Sequence, residues 1–171
     1  MKVQIEADGG SRGNPGPAGY GAVVRDAVTG KVLAERSAGL GTATNNVAEY
    51  SGLIAGLQAA IELGATAVEA RLDSKLVVEQ MSGRWRVKHP QLQPLASEAA
   101  ALARRLGAVR YEWIPRARNA HADRLANEAM DAQAGRPTRR VAVPPTWSGD
   151  RTRRRLVTPR LAAGFRMERK R

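Results

Sequence analysis

The chain has 171 residues, enough for one domain with a buried core, and it lacks cysteine, which excludes disulfides, thiolate metal ligands and a cysteine nucleophile. Two histidines are too few for a histidine-rich zinc site, and no apolar run approaches the roughly 20 residues of a membrane span, so we expect a cytoplasmic protein. The net charge of +12 is uneven, because residues 136–171 carry 12 Lys and Arg against two acids, which suits either a polyanionic partner or a solvated tail.

The first half of the chain predicts three strands and a long helix. Residues 2–8 alternate apolar and polar side chains, which predicts a strand that ends at Asp8, and the following GGSRGNPGP predicts a loop. YGAVVRD and KVLAERSAGL predict a hairpin that turns at Thr29-Gly30. Apolar residues spaced by three and four then predict a helix from Asn45 to Leu63, capped by Thr44 or Asn45 and ended by Gly64.

The second half predicts two strands and three helices. TAVEARL predicts a fourth strand that delivers Asp73 at its end, and SKLVVEQMSG predicts a short helix opened by Asp73 or Ser74. QPLASEAAALARRLG predicts a further helix, VRYEWIP a fifth strand, and Asn119 the cap of a last helix to about Ala132. The order βββαβααβα indicates an α/β fold for residues 1–134, followed by a flexible basic tail over residues 135–171.

Four acids stand in distinctive phrases, and each alone has an ordinary explanation. Glu49 and Asp123 lie in first helical turns, where the helix dipole favours acids; Asp8 suits a surface position and Asp73 a helix cap. Gathered together they would repel, by roughly 1–4 kcal/mol for a pair at ~4 Å. Two divalent cations would remove that repulsion and could hydrolyse a phosphodiester, and oxygen-only ligands favour Mg²⁺, with Mn²⁺ as a substitute, over zinc.

The phrases DGGSRGNPGPAGYG, TNNVAEY, LDSK and ADRLANEA, in this order over residues 1–133, resemble the motifs of the type I ribonuclease H family. The resemblance implies a five-stranded mixed sheet flanked by helices, and cleavage of the RNA strand of RNA/DNA hybrids to 5′-phosphate and 3′-hydroxyl ends. It implies two Mg²⁺ ions on the four catalytic acids. One ion, on Asp8 and Asp123, would activate water; the other, on Asp8, Glu49 and Asp73, would stabilise the leaving 3′-oxygen.

The resemblance also implies contacts to the hybrid, and the residues concerned retain simpler alternatives. Three asparagines match positions that read RNA sugars and base edges, the backbone at Gly9 and Gly10 can approach RNA closely, Thr44 is a candidate for a DNA phosphate contact, and Trp85 could line the path of the DNA strand. The asparagines are Asn14, Asn45 and Asn46. The alternatives are a turn residue at Asn14, a helix cap at Thr44 or Asn45, and a core or loop-anchoring tryptophan at Trp85.

The sequence departs from better-known family members in two places. GRWRVKHP stands where many members carry a longer basic protrusion, and PRARNAHAD carries Arg116 and Arg118 where many place a loop histidine; His121 is not assigned that role. The resemblance is strongest to the N-terminal half of two-domain bacterial proteins in which a histidine-phosphatase domain follows. The arginine-histidine-glycine motif of that domain is absent from this sequence, so no phosphatase activity is expected.

Two other functions compete with a hybrid ribonuclease. A non-catalytic nucleic-acid-binding module could use the basic tail, but it has no use for four repelling carboxylates. A related phosphodiester enzyme, such as a DNA transposase or resolvase, fits the acids equally well, but TNNVAEY and the glycine-rich first loop favour RNA recognition. The expected partner is an RNA/DNA hybrid, bound by a monomer without an obligate protein partner.

Overall fold

The computed structural model describes residues 1–133, which form one sheet with helices on both faces. The strands are β1 (Lys2–Ser11), β2 (Gly16–Asp26), β3 (Val32–Ala43), β4 (Ala67–Leu72) and β5 (Ala108–Trp113). The helices are α1 (Asn45–Glu62), α2 (Lys75–Met81), α3 (Gln93–Leu106) and α4 (Ala120–Gln133), with a 3-10 helix over Arg116–Asn119. The predicted order βββαβααβα and the mixed α/β fold are therefore confirmed, whereas the predicted tail over 135–171 lies outside the described residues.

The sheet has the strand order β3-β2-β1-β4-β5. The strands β1, β2 and β3 pair antiparallel, and the predicted turn between β2 and β3 is confirmed: the Gly30 N–H donates to the Asp26 carbonyl and Gly30 has a φ of 78°. β4 and β5 join β1 in parallel, connected through α1 and through α2 and α3. In this arrangement the carboxyl ends of β1, β4 and β5 meet at one edge of the sheet, where α/β enzymes commonly bind ligands.

Successive side chains of β1 alternate between the two faces of the sheet, and each face packs against a different helix. Val3, Ile5 and Ala7 are fully buried and belong to the core cluster that they share with α1 and α3. At the carboxyl end of β1, the opposite face packs against α4 through Gly10 and through Gly21 of the neighbouring strand β2. A Cβ on Gly21 would lie 2.5 Å from the Leu125 Cβ. The sheet is thus covered by α1 on one side and α4 on the other, and both helices begin beside the same strand end.

One predicted strand boundary is wrong, because tertiary contacts outweigh local preference there. β1 does not end at Asp8 but continues through Gly9, Gly10 and Ser11, because these residues pair with Tyr20, Gly19 and Ala18 of β2. The predicted start of the last helix is confirmed, because α4 begins at Ala120, directly after Asn119, and Asn119 itself is fully buried as the last residue of the 3-10 helix that leads into α4. Thr44 and Ser74 cap α1 and α2 as predicted, accepting from the N–H groups of Val47 and Val77.

None of the helices in residues 1–133 combines the length and the apolar character that a bilayer crossing requires.

A substitution at Gly9 tests the close contact between β1 and α1. A Cβ on Gly9 would lie 2.2 Å from the Ala48 carbonyl carbon, so Gly9→Ala forces backbone to move and is expected to destabilise the fold by about 2–4 kcal/mol. Gly10→Ala is the matched control, because the nearest atom to its Cβ would be the flexible methyl of Met130, at 3.3 Å. Urea unfolding should show a large decrease in stability for the first variant and a small change for the second; equal midpoints would contradict the contact.

Candidate active site

Asp8 and Asp73 lie side by side because of the parallel register of β1 and β4. The last paired residues of the two strands are Ala7 and Leu72, and Asp8 and Asp73 directly follow them in the sequence. Asp8 is 7% exposed and Asp73 is partly buried. The strand ends therefore bring two carboxylates into one half-buried position, as predicted from the sequence.

Glu49 joins them from α1 because the helix contacts β1 without an intervening side chain. A Cβ on Gly9 would fall 2.6 Å from the Glu49 nitrogen, which shows how closely the first turns of α1 rest on the strand. Carboxylate oxygens of Asp8, Glu49 and Asp73 all lie within 4.8 Å of one another. Three acids from distant parts of the chain thus meet at one point.

Asp123 reaches the same cleft from the first turn of α4. Its carboxylate is near enough to Asp8 to contribute to the raised pKa of that acid. All four acids line one cleft of about 470 Å³, together with Gly10, Arg12, Asn45, Arg116, Asn127 and Met130 among others. The structure brings together all four acids that the sequence singled out.

Burial and mutual repulsion dominate the electrostatics of these acids. Burial, then the charges of Asp73 and Asp123, raise the pKa of Asp8 to about 8. Burial and the charges of Asp8 and Asp73 also raise the pKa of Glu49 well above its usual value. The pKa of Asp73 is raised by burial, although a hydrogen bond from Asn119 and the charge of Arg116 oppose the rise.

The donor set fits a hard divalent cation. Oε1 of Glu49 is buried and has no hydrogen-bond partner among the described residues, which is costly unless a cation or water binds it. Each ligand atom of this cluster is a carboxylate oxygen, the donor type that Mg²⁺ and Mn²⁺ prefer. Asp8, Glu49 and Asp73 could hold one cation, and Asp8 with Asp123 could hold a second.

Asn119 is a site residue that the sequence interpretation placed only as a helix cap. Its side-chain nitrogen donates to the carbonyl of Ala7, the residue before Asp8, at 2.9 Å, and its hydrogen bond to Asp73 lowers the pKa of that acid. Asn119 therefore connects β1, β4 and the approach to α4 behind the acids. Only the position of Asn119, four residues before Asp123, hinted at this role.

The residues predicted to contact the hybrid lie in the acid cleft, on the β1–β2 turn, at the start of α1 and in a second groove. Gly10 and Asn45 line the acid cleft. Asn14 lies on the exposed β1–β2 turn, where its side-chain oxygen accepts from the Asn45 N–H at 3.0 Å. Thr44 caps α1, in agreement with the alternative given for it, and its hydroxyl accepts from the Val47 N–H at 3.3 Å.

Asn46 and Trp85 lie in a second groove, which we call the basic groove. It is lined by Asn46, Leu76, Gln80, Arg84, Trp85, Arg86, Lys88, His89 and Leu92. Trp85 is 46% exposed, which excludes the alternative of a core residue. Arg84 pairs with Glu79 at 2.6 Å, so Arg86 and Lys88 supply most of the positive charge of this groove.

The cation closest to the acids in the loop before α4 is an arginine. The Arg116 guanidinium lies 3.4 Å from the Asp123 carboxylate and is largely exposed. His121, to which no role was assigned from the sequence, contacts residues of β3 and β2. Its Nε2 lies 2.5 Å from Glu35, and its Nδ1 lies 3.0 Å from Arg25.

The raised pKa of Asp8 predicts how the metal-free protein responds to pH. The folded state binds the Asp8 proton more tightly than the unfolded state, whose value is near 3.8, so stability falls as pH rises from about 4 to about 8. Asp8→Asn removes this repulsion and keeps an acceptor for the Gly9 N–H. In EDTA at pH 8 we expect its Tm to exceed that of the wild type by roughly 3 °C or more.

The control for this experiment is Asp26→Asn, an acid in the hairpin turn whose pKa is lowered by hydrogen bonds from Thr29 and Val28. It should leave the fall of Tm between pH 5 and 8 unchanged, because its stabilising effect disappears only at more acidic pH. Wild type and Asp8→Asn curves that run in parallel over this range would show that the acids do not repel one another in the fold.

Comparison with known proteins agrees with this geometry. The family model described as reverse transcriptase-like matches residues 6–129. The chain is 67% identical over 134 residues to the bifunctional protein Rv2228c of Mycobacterium tuberculosis, a match that covers 78% of this chain and 37% of the relative. The chain therefore spans little more than a third of that relative's length.

Two solved structures share the fold. The N-terminal RNase H domain of Rv2228c from M. tuberculosis superposes with a TM-score of 0.77 at 66% identity, covering 79% of this chain and 97% of the other. LC11-RNase H1, solved in complex with an RNA/DNA hybrid, superposes with a TM-score of 0.73 at 43% identity, covering 76% of this chain and 97% of the other. With the acids, the sheet order and these matches in agreement, the chain belongs to the type I ribonuclease H family.

Proposed function

We propose that this protein is a Mg²⁺-dependent endoribonuclease that hydrolyses the RNA strand of RNA/DNA hybrids and leaves 5′-phosphate and 3′-hydroxyl ends. The observation that carries the proposal is the convergence of Asp8, Glu49, Asp73 and Asp123 on one cleft, with a buried Glu49 oxygen that lacks a partner among the described residues. The structure of LC11-RNase H1 with a hybrid supports the choice of substrate, because that protein shares the fold and 43% of its sequence with this chain.

The four acids would hold the two cations, and the strands and helices that carry these acids are packed closely together. Bound Mg²⁺ supplies an activated water, neutralises charge on the phosphate and stabilises the leaving 3′-oxygen. Asp8 is central among the acids, because it lies within reach of Glu49 and Asp73 and its pKa is also raised by Asp123. Its raised pKa means that cation binding must displace a proton at neutral pH, so the affinity for the metal should increase with pH.

Arg116 adds a positive charge at the open side of the cleft. Its guanidinium is close enough to influence the acids, since it opposes the rise of the Glu49 and Asp73 pKa values. A cation at this position would attract the phosphate backbone toward the acids.

The proposed binding mode places the two strands of the hybrid in two different grooves. Asn45 lines the acid cleft, and the next residue, Asn46, lines the basic groove with Trp85. We propose that the RNA strand follows the acid cleft, where Asn14, Asn45 and the Gly10 backbone can contact 2′-hydroxyls and base edges, and that Asn46 contacts base edges from the border of the basic groove. The DNA strand would follow the basic groove, with Trp85 and Thr44 beside its backbone.

The basic C-terminal segment would help to attract the hybrid. A hybrid is a polyanion, and residues 136–171 carry a net charge of +10, which would increase its local concentration. We propose that the enzyme acts in the cytoplasm as a monomer, with a catalytic domain over residues 1–134 and a basic tail over residues 135–171, and that Mn²⁺ can replace Mg²⁺.

A cleavage assay with end-labelled RNA tests the proposed activity. The RNA is presented hybridised to DNA, hybridised to RNA and single-stranded, each with Mg²⁺ or with EDTA. We expect cleavage of the hybrid only with metal, and a decrease of about 10²-fold or more in Asp73→Asn, because this variant removes one ligand of the cation pair.

Asp26→Asn serves as the matched control, since it removes an acid of the same type from the remote hairpin turn and should retain full activity. Hybrid binding without any cleavage would favour the alternative, a non-catalytic binding module. Cleavage of DNA, or undiminished activity in Asp73→Asn, would contradict the assignment.

Removing residues 136–171 tests the role proposed for the basic segment. Every phosphate that this segment no longer neutralises should reduce the slope of log Kobs against log salt by roughly 0.9, so the truncated protein should bind hybrid more weakly and with less salt dependence. Fluorescence anisotropy with a labelled hybrid between about 50 and 200 mM salt measures both quantities. An unchanged slope would show that this segment makes no contact with the hybrid.

A further inference from the structure

The turn between β1 and β2 is attached to α4 by one arginine. Arg12 is the first residue after β1, and its guanidinium donates to the Asp131 carboxylate and, at 3.2 Å, to the Asn127 side-chain oxygen. Both acceptors lie on α4, one turn apart, so the planar guanidinium spans them with two different nitrogens. Arg12 and Asp131 are each 29% exposed, which leaves the pair partly shielded from solvent.

Asn127 links Arg12 to Asp123, one of the acids of the cleft. The Asn127 side-chain nitrogen donates to the backbone carbonyl of Asp123 at 2.9 Å, while its oxygen accepts from Arg12. Both groups of this amide are therefore used, and they join the turn to the part of α4 that presents Asp123. Arg12, Asn127 and Asp123 all line the cleft.

The opposite side of the turn is attached to α1. The Asn45 side-chain oxygen accepts from the Ser11 N–H at 2.7 Å, and the Asn14 oxygen accepts from the Asn45 N–H at 3.0 Å. The turn that carries Asn14 is thus fixed to α1 by two hydrogen bonds and to α4 by the Arg12 contacts. Without the second attachment, the turn would be held from one side only.

We propose that Arg12, paired with Asp131, is a positioning residue that fixes the β1–β2 turn to α4 and so holds Asn14 and Asp123 in register for the RNA strand. The inference rests on the proposed function, because its effect is expressed through the binding of a hybrid. The alternative for an arginine at the edge of a nuclease cleft is a direct phosphate contact. The pairing with Asp131 argues against that role, since the guanidinium charge is already balanced inside the protein.

A charge swap separates these two roles. Arg12→Asp places two acids together and releases the turn; Asp131→Arg does the same with two arginines; the double variant restores an opposite pair in reversed order. We expect each single variant to raise the KM for hybrid about 5–10-fold, the cost of ordering a loosened turn on binding, with kcat changed less than about threefold. The double variant should recover most of the affinity of the wild type.

The Arg36–Glu62 pair, at 2.8 Å on β3 and the end of α1, provides the matched control. Arg36→Glu, Glu62→Arg and their combination make the same changes in net charge away from both grooves. Their KM values should stay near that of the wild type, which separates positioning from the general effect of charge on a polyanionic substrate. Thermal unfolding of all variants identifies any loss of fold.

Two results would overturn the proposal. A double variant as weak as Arg12→Asp would show that Arg12 acts on the substrate directly. Single variants whose Tm falls while KM stays constant would show that the pair only braces the fold. Wild-type protein that fails to cleave hybrid would instead refute the proposed function, and the same series measured by hybrid-binding anisotropy would still test the pair.

Discussion

Buried carboxylates that repel one another are the constraint around which this structure is organised. Asp8, Glu49 and Asp73 place oxygens within 4.8 Å of one another, and Asp123 lines the same cleft. Burial raises the pKa of each of the first three, and the charges of neighbouring carboxylates add to the rise, so the metal-free fold carries a cost that a bound divalent cation would remove. The rest of the domain supplies the rigidity that keeps these acids together despite that cost, through a parallel strand pair, two opposed helices and the buried amide of Asn119.

That rigidity depends on the absence of side chains at a few contacts. Gly9 allows the first turns of α1 to rest on β1, and Gly21 allows α4 to rest on β2 from the other face. Each glycine faces the helix backbone or the first carbon of a side chain, where nothing can rotate away. The helices therefore approach the strands closely enough for acids from both faces of the sheet to meet at a single edge.

Sequence reasoning identified the parts of the site that have local signals. The Thr44 cap, the hairpin turn at Gly30 and the helix that begins at Asn45 each follow from composition or periodicity within a short window. The four acids follow from short phrases that resemble the motifs of a known family. Sequence reasoning missed what depends on partners far along the chain. The extension of β1 through Gly10 requires β2, the buried role of Asn119 requires Ala7, and the Arg12–Asp131 pair joins residues 119 positions apart. No pattern in one segment predicts such pairings, because neither partner is unusual by itself.

The position of Asn45 and Asn46 at the start of one helix has a consequence for selectivity. One asparagine lines the acid cleft and the next lines the basic groove, so the separation of the two grooves is fixed by a single turn of hydrogen-bonded backbone. In the proposed binding mode, a duplex would have to match that spacing on binding, since α1 would have to unwind to adjust it. Discrimination among double helices would then depend on the width of the groove that each presents, because the spacing on the protein is fixed.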